Sequence, residues 1–297
     1  MTEAVSLDSA PTTDTAWRRI GRWLKSDWRA TAALAYLGLL LVLALSAPLV
    51  APYSPTAQDI NAMLEDPNAA HWLGTDDLGR DTFSRLIYGA PISLFASLLA
   101  VGVGLALGVP IGLCAGYLGG WVDAAISRAI ETMMSFPGIV LAIGVTGALG
   151  IGLIHAMIAV GIVFAPEFAR LTRAQTMLVR HELYVDAARS FGASPLRIML
   201  RHILPNAFQP VLVQTTILLA IALLVEASLS FVGLGIQPPY PSWGAMLARA
   251  YSNMDIAPVQ MYPPGLAIFL TALAFNALGE SLRTAINRGS IAEAKRT

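Results

Sequence analysis

Apolar residues along this chain gather into long, nearly unbroken runs separated by polar stretches. A run of about 18 or more apolar residues has the length of a membrane-crossing helix. Six such helices are predicted, over 30–51, 90–117, 129–150, 152–171, 209–235 and 264–282. Long polar stretches separate the first span from the second and the fourth from the fifth. Only a short turn around Gly119–Asp123 separates the second and third, and Gly150-Ile151-Gly152 joins the third to the fourth.

Composition agrees with a membrane protein. Hydrophobic residues make up 56% of the 297 positions and charged residues 13%, against about 25% charged in soluble domains. Residues 1–15 have no apolar pattern and read as disordered. The mixture Trp17, Arg18, Arg19, Arg22, Trp23, Lys25, Trp28 and Arg29 suits a helix at the membrane interface. A signal peptide would carry an apolar core of about 7–15 residues. The run from Ala30 to Ala51 is longer, which favours an uncleaved first span. Cys114 is the single cysteine and sits in an apolar run, so neither a disulfide framework nor a cysteine metal site is expected.

Net charge is zero, but its distribution sets an orientation. With a cytoplasmic N-terminus, all of the 19 lysines and arginines fall inside except Arg80, Arg85 and Arg249, as the positive-inside rule requires. Both termini and the 170–207 loop then face the cytoplasm of a plasma-membrane protein. This divides the chain into a cytoplasmic segment 1–29, the first span 30–51, an extracytoplasmic segment 52–89, a core 90–285 and a cytoplasmic tail 286–297. Gly104, Gly108, Gly112 and Gly116 share one face of the second span, where small residues allow close helix packing; Pro110 is expected to kink it.

The 170–207 loop has structure of its own. Leu183, Tyr184, Ala187, Ala188 and Phe191 form one face of a short helix that stops at Gly192. Ser194 and Pro195 fit the cap and first position of a second helix, with Leu196, Met199, Leu200 and Ile203 at helical spacing and Pro205 as its end. Such apolar faces need a partner, either the chain's own helix ends or a separate protein.

Several chemistries are missing. There is no Gly-Lys pair and hence no phosphate loop; no zinc motif occurs, and His71, His155, His181 and His202 are scattered. No catalytic, metal or cofactor residues are assigned, and no nucleic-acid partner is expected. Glu226 lies inside the fifth span near Ser228 and Ser230. A buried charge there costs about 2.5–3.5 kcal/mol, so it faces the bundle, either as a hydrogen-bonding hub or on a translocation path. Glu167, Asn276 and Glu280 are placed nearer helix ends. Asp76, Asp77, Arg80, Asp81 and Arg85 are expected to form a solvated amphipathic helix on the outer membrane surface; contact with an outer partner is the other reading.

Asp186-Ala187-Ala188, three residues, Gly192, and then Leu204-Pro205 resemble the "EAA" loop of binding-protein-dependent ABC importer permeases. Asp186 replaces the usual glutamate, and His202 stands at an isoleucine position. His71–Asp81, Ser84–Gly89, Glu226–Pro239, Pro241–Gly244, Pro264–Ile268 and Ala274–Gly279 resemble the C-type subunits of dipeptide/oligopeptide permeases, so the likeness runs from about His71 to Asn287. It implies an all-α, six-span, type I importer permease forming half of a pore. It further implies a homologous second permease subunit in a heterodimer, two ATPase subunits docked on the loop, an extracytoplasmic substrate-binding protein and surrounding lipid. Tyr184, Asp186, Ala187, Ala188, Phe191, Gly192, Leu204 and Pro205 become the coupling residues, while Glu226, Ser228 and Ser230 remain possible translocation-path residues. Peptides lead as cargo; nickel complexes and haem occur among similar permeases. A stand-alone secondary transporter would need ion-coupling groups and often shows repeats, of which one intramembrane acid and no obvious repeat are present. An intramembrane enzyme would need a catalytic pair, for which no spacing is found.

Overall fold

A computed structural model describes residues 27–294. The interfacial Trp17–Lys25 stretch lies outside the described residues. The first long helix, α1 (Trp28–Leu45), starts where Asp27 accepts a hydrogen bond from the Arg29 amide at 3.0 Å. Its fellow α2 (Thr82–Leu118) starts at Asp81, whose Oδ2 accepts from the Ser84 amide at 2.7 Å. Both are side-chain N-caps that satisfy otherwise orphaned amides. At 37 residues, α2 is about 55 Å long, well beyond the ~30 Å hydrocarbon core, so it projects past the apolar layer. The helix therefore begins at Thr82, ahead of the span predicted from 90, and the last part of the 52–89 segment is helical.

The predicted third span, 129–150, is corrected. Two helices, α3 (Gly120–Met134) and α4 (Gly138–Leu149), meet at a 94° bend. The break falls on Ser135-Phe136-Pro137. Proline lacks an amide donor, and its ring disfavours helical geometry in the residue before it; Ser135 instead turns its hydroxyl onto the Thr132 carbonyl at 2.7 Å. Among the described residues, five helices are long and apolar enough to cross a membrane, or six if this bent pair counts as one span.

Helix α5 (Leu153–Val179) runs eight residues past the predicted end at 171. That places Glu167 mid-helix and not at an end, where its Oε1 accepts from Gln214 Nε2 at 2.7 Å. After α6 (Leu183–Ser190), residues Pro195–Arg197 open a helix that widens into a π-turn over Ile198–Ile203 and continues as α7 (Leu204–Phe231). Pro205 thus does not terminate the second short helix. It sits in the first turn of the fifth span, where a missing amide is tolerated, and the wider π-turn before it makes room for its ring. Helices α8 (Trp243–Ser252) and α9 (Tyr262–Ala294) follow among the described residues. Helix α9 continues to Ala294, past the predicted end of the last span at 282.

The main packing seam joins α2 to α5. A β-carbon on Gly108 would lie 2.4 Å from the Ala165 carbonyl oxygen, and one on Gly112 would lie 2.2 Å from that of Ala169. Backbone meets backbone here, as small-residue faces permit. Val101, Met157, Phe168, Leu218 and Leu223 fill the core between α2, α5 and α7. Helix α1 is peripheral, with Leu39, Val42 and Leu45 exposed along it. Two polar ties hold it to α9: Ser281 Oγ donates to Asp27 Oδ2 at 2.5 Å, and the Tyr36 and Thr271 hydroxyls lie 3.1 Å apart.

Candidate functional site

Functional candidates gather at the two opposite ends of the bundle. At one end, α6 is anchored by a single inward residue. Val185 is fully buried against Leu113, Ile198, Met199, Ile203 and Ala207. Tyr184 adds a polar tie, its hydroxyl accepting from Asn206 Nδ2 at 2.9 Å. Burial, and next the Glu182 carboxylate, push the Tyr184 hydroxyl's pKa up, so it stays neutral at physiological pH. Asp186 pairs with Arg189 at 2.9 Å on the exposed side. Gly192 closes the helix at φ +77°, and Ser194 accepts from the Arg197 amide at 3.4 Å to start the next. Leu204 joins the cluster around Val185, while Pro205 is exposed.

The apolar face predicted for α6 points mostly outward. Leu183 is 86% exposed and Phe191 91% exposed, and Ala187 is also exposed; Ala188 is half-buried. The inward contact rests on Val185, which the helical-stripe argument left out. Its signal was the apolar spacing of the second short helix, whose Ile198, Met199 and Ile203 form the pocket that receives it. The neighbouring helix ends are pinned by Arg173 with Asp123 and by Arg180 Nη1 on the Gly116 carbonyl at 2.8 Å.

At the other end, Glu226 is 1% exposed. Its Oε1 accepts from Ser230 Oγ at 3.1 Å and Ser242 Oγ at 2.8 Å. Ser242 in turn caps α8, accepting from the Ala245 amide at 3.1 Å. A β-carbon on Gly244 would lie 2.6 Å from Glu226 Oε2, so the carboxylate and the α8 terminus interlock. Trp243 beside them is buried, its amide donating to Ser93 Oγ at 2.9 Å and its Nε1 to the Leu86 carbonyl at 3.0 Å. Ser228 stands apart and bonds the Leu224 carbonyl of its own helix. Glu226 and Ser230 therefore come together and Ser228 does not. Ser242 and Trp243, which complete this cluster, carry no periodic signal; only the fragment Pro241-Ser-Trp-Gly244 pointed to them.

This arrangement sets an expected result. Glu226→Gln keeps an acceptor for both serines and is expected to leave folded yield near wild type. Glu226→Leu leaves Ser242 and Ser230 facing a hydrocarbon, at about 1–3 kcal/mol for each unsatisfied group. Size-exclusion yield and thermal unfolding in detergent check the order; equal behaviour of the two variants contradicts the hub.

The charged outer segment is a correction. Asp76, Asp77, Arg80 and Asp81 lie in a non-helical loop, not in a solvated amphipathic helix, and Arg80, Asp81 and Arg85 are almost fully buried. Asp76 organises them. Its Oδ1 accepts from the Leu78 and Arg80 amides, both at 3.0 Å, and its Oδ2 from Arg80 Nε at 2.8 Å. Arg85 Nε lies 3.4 Å from Asp76 Oδ2, and its Nη1 donates to the Pro55 carbonyl at 2.6 Å. His71 Nδ1 is 2.9 Å from Asp81 Oδ1. Gly79, at φ +66°, makes the turn that brings Arg80 back onto Asp76. An Asp two residues before a turn amide was the available sequence signal. Among the described residues no group of three or more His, Cys, Asp or Glu could hold a metal ion.

Long apolar helices, a glycine-packed bundle and a structured helical hairpin at one end define a multi-pass membrane protein. The chain belongs to the family described as "binding-protein-dependent transport system inner membrane component", whose model matches residues 108–291. A second model, the N-terminal TM domain of oligopeptide transport permease C, matches residues 15–67. The glutathione transport system permease protein GsiD of Shigella flexneri serotype 5b is 46% identical over 274 residues, covering 92% of this chain and 90% of that protein. GsiD of Escherichia coli O6:K15:H31 is 44% identical over the same coverage. Among solved structures, the inward-facing MetNI methionine ABC transporter matches at a TM-score of 0.54 with 22% identity, over 68% of this chain and 97% of that one. That likeness concerns the fold. The chain is thus a permease component of a binding-protein-dependent ABC importer, spanning a membrane.

Proposed function

We propose that this chain forms half of the translocation pore of an ATP-driven peptide importer in the plasma membrane. A homologous permease subunit supplies the other half. Two ATPase subunits dock on α6 and the turn after it, and an extracytoplasmic binding protein delivers cargo at the opposite end. The observation that carries this reading is the geometry of α6. One valine locks it to the bundle, while Leu183 and Phe191 project outward as large apolar groups with no partner among the described residues. Exposed apolar groups on a rigid element mark an interaction site, and this one has a firm mechanical link to the spans through the Val185 pocket and the π-turn. The arginine asymmetry favours placing α6 and both termini in the cytoplasm. Peptide cargo is supported by the 44–46% identity to permeases named for glutathione transport.

In this reading the chain performs no chemistry. ATP binding closes the ATPases, their movement displaces α6, and the displacement passes through Val185 into α2 and α7. The test is reconstitution in vesicles with the second permease, the ATPases and the binding protein. ATP-dependent peptide accumulation is expected from the full set, and no ATP turnover from this chain alone. Peptide accumulation driven by an ion gradient without ATPases would sink the proposal.

A further inference from the structure

The end of the bundle opposite α6 contains a cavity of about 620 Å3, within the roughly 300–1,000 Å3 range of small-ligand sites. Its walls come from α8, the end of α7 and the charged loop. Three arginines, Arg80, Arg85 and Arg249, line it together with one carboxylate, Asp77; Tyr240, Phe231 and Tyr251 add aromatic surface. Asp76 compensates Arg80 and Arg85 from behind. Counting both aspartates against the three arginines leaves an excess of one positive charge at this mouth.

Arg249 differs from the other two. Arg80 and Arg85 are almost fully buried, whereas the Arg249 side chain is 30% exposed. It meets Asp77 through Nη1 alone, at 3.0 Å to Oδ1 and 2.8 Å to Oδ2. Its Nε and Nη2 make no hydrogen bond to any described residue. A guanidinium offers five donors in a planar fork suited to two-point contact with a carboxylate, and here one edge of that fork is unused. The chemistry that fits is a second carboxylate, entering a water-accessible site beside aromatic surface.

We propose that this cavity binds a free carboxylate of the imported peptide, with Arg249 as its partner. Asp77 is then the internal carboxylate that holds Arg249 in place while the site is empty and competes with the incoming one. This deepens the peptide-importer reading and rests on it for the identity of the ligand. The cavity's concavity and volume favour a small peptide over an acidic side chain of the binding protein.

The experiment uses the assembled permease–ATPase complex in lipid nanodiscs without binding protein. Equilibrium binding is measured for glutathione and for its analogue with both carboxylates amidated. Wild type is expected to prefer the free-carboxylate form. Arg249→Gln is expected to weaken that form by about tenfold or more, the scale of one charged hydrogen bond, and to leave the amide unchanged. Asp77→Asn is expected to tighten the free form several-fold by removing the competitor. A purely structural ion pair gives a different pattern, because both variants then weaken both ligands alike. That result overturns the proposal, and so does wild-type binding that ignores the carboxylates or is absent. ATPase stimulation is then measured with binding protein added; peptide binding unchanged by both variants combined with altered stimulation also overturns the proposal and assigns the cavity to that protein. Vesicle uptake is scored separately. Carboxylate-selective binding without ATP-driven uptake leaves the site standing and removes the importer reading, whereas uptake without selective binding does the reverse.

Discussion

Gly112→Val is expected to abolish recovery of folded protein. The β-carbon alone would sit 2.2 Å from the Ala169 carbonyl oxygen and 2.9 Å from Thr172 Cβ. Neither is the far end of a flexible side chain, so relief requires α2 and α5 to move apart. Overpacking in a well-filled core typically costs about 1–3 kcal/mol when side chains can adjust; here the obstacle is backbone, and the seam is the principal contact of the bundle. Separating these helices also uncovers Phe168 and Val101 beside them. In a membrane no hydrophobic drive compensates, because lipid tails are as apolar as the residues exposed. Gly102→Ala is the control, since a β-carbon there meets nothing within 4 Å. Detergent-solubilised yield and monodispersity measure the outcome. A monodisperse Gly112→Val protein at wild-type yield contradicts the seam.

The second large effect is functional. Gly192→Val is expected to insert and fold but to uncouple ATP turnover from uptake. Gly192 holds φ +77° with open space around it. A valine therefore meets no neighbour, yet is forced into a backbone region disfavoured for branched residues by about 1–2 kcal/mol. The chain relieves this by rotating the turn between α6 and Ser194, which swings Phe191 and Leu183 away from their positions. The core is untouched. Ala188→Glu tests the same surface by adding a carboxylate to a half-buried position, and Arg189→Lys is the mild control. Uptake and ATP hydrolysis measured in one vesicle preparation decide the matter. Wild-type ratios in both Gly192→Val and Ala188→Glu remove this hairpin as the coupling element.

How far the sequence could be read followed the physics of each signal. Long apolar runs report membrane crossing directly, so the centres of five predicted spans were legible, while the third run folds as a bent pair of helices. The bend at Pro137 was not given weight, because an apolar run looks the same whether straight or folded on itself. The glycine face of α2 was legible as a packing surface, though not its partner α5. Gly192 and Ser194 were legible because stops and caps are local chemistry. Val185 was missed because α6 buries one residue while its larger apolar groups face out, inverting the usual stripe. The outer loop was misread for a related reason. Five charges within ten residues suggest solvation, yet Asp76 and Gly79 draw Arg80 and Arg85 inward, and those two arginines and Asp81 are buried. Glu226 was recognised as enclosed, but its hydroxyl partner Ser242 lies beyond the span and comes from a tertiary contact.

The two polar ties between α1 and α9 have a temporal consequence. Asp27 and Ser281 are 254 residues apart in sequence, and Tyr36 and Thr271 are 235 apart. At roughly 5–20 residues per second of synthesis, α1 waits on the order of ten to fifty seconds after it is made before its partner helix exists. During that interval it is held chiefly by lipid and by its lesser contact with α2. A helix made early is therefore among the last to take its final place, and ribosomes stalled before residue 271 would leave it undocked.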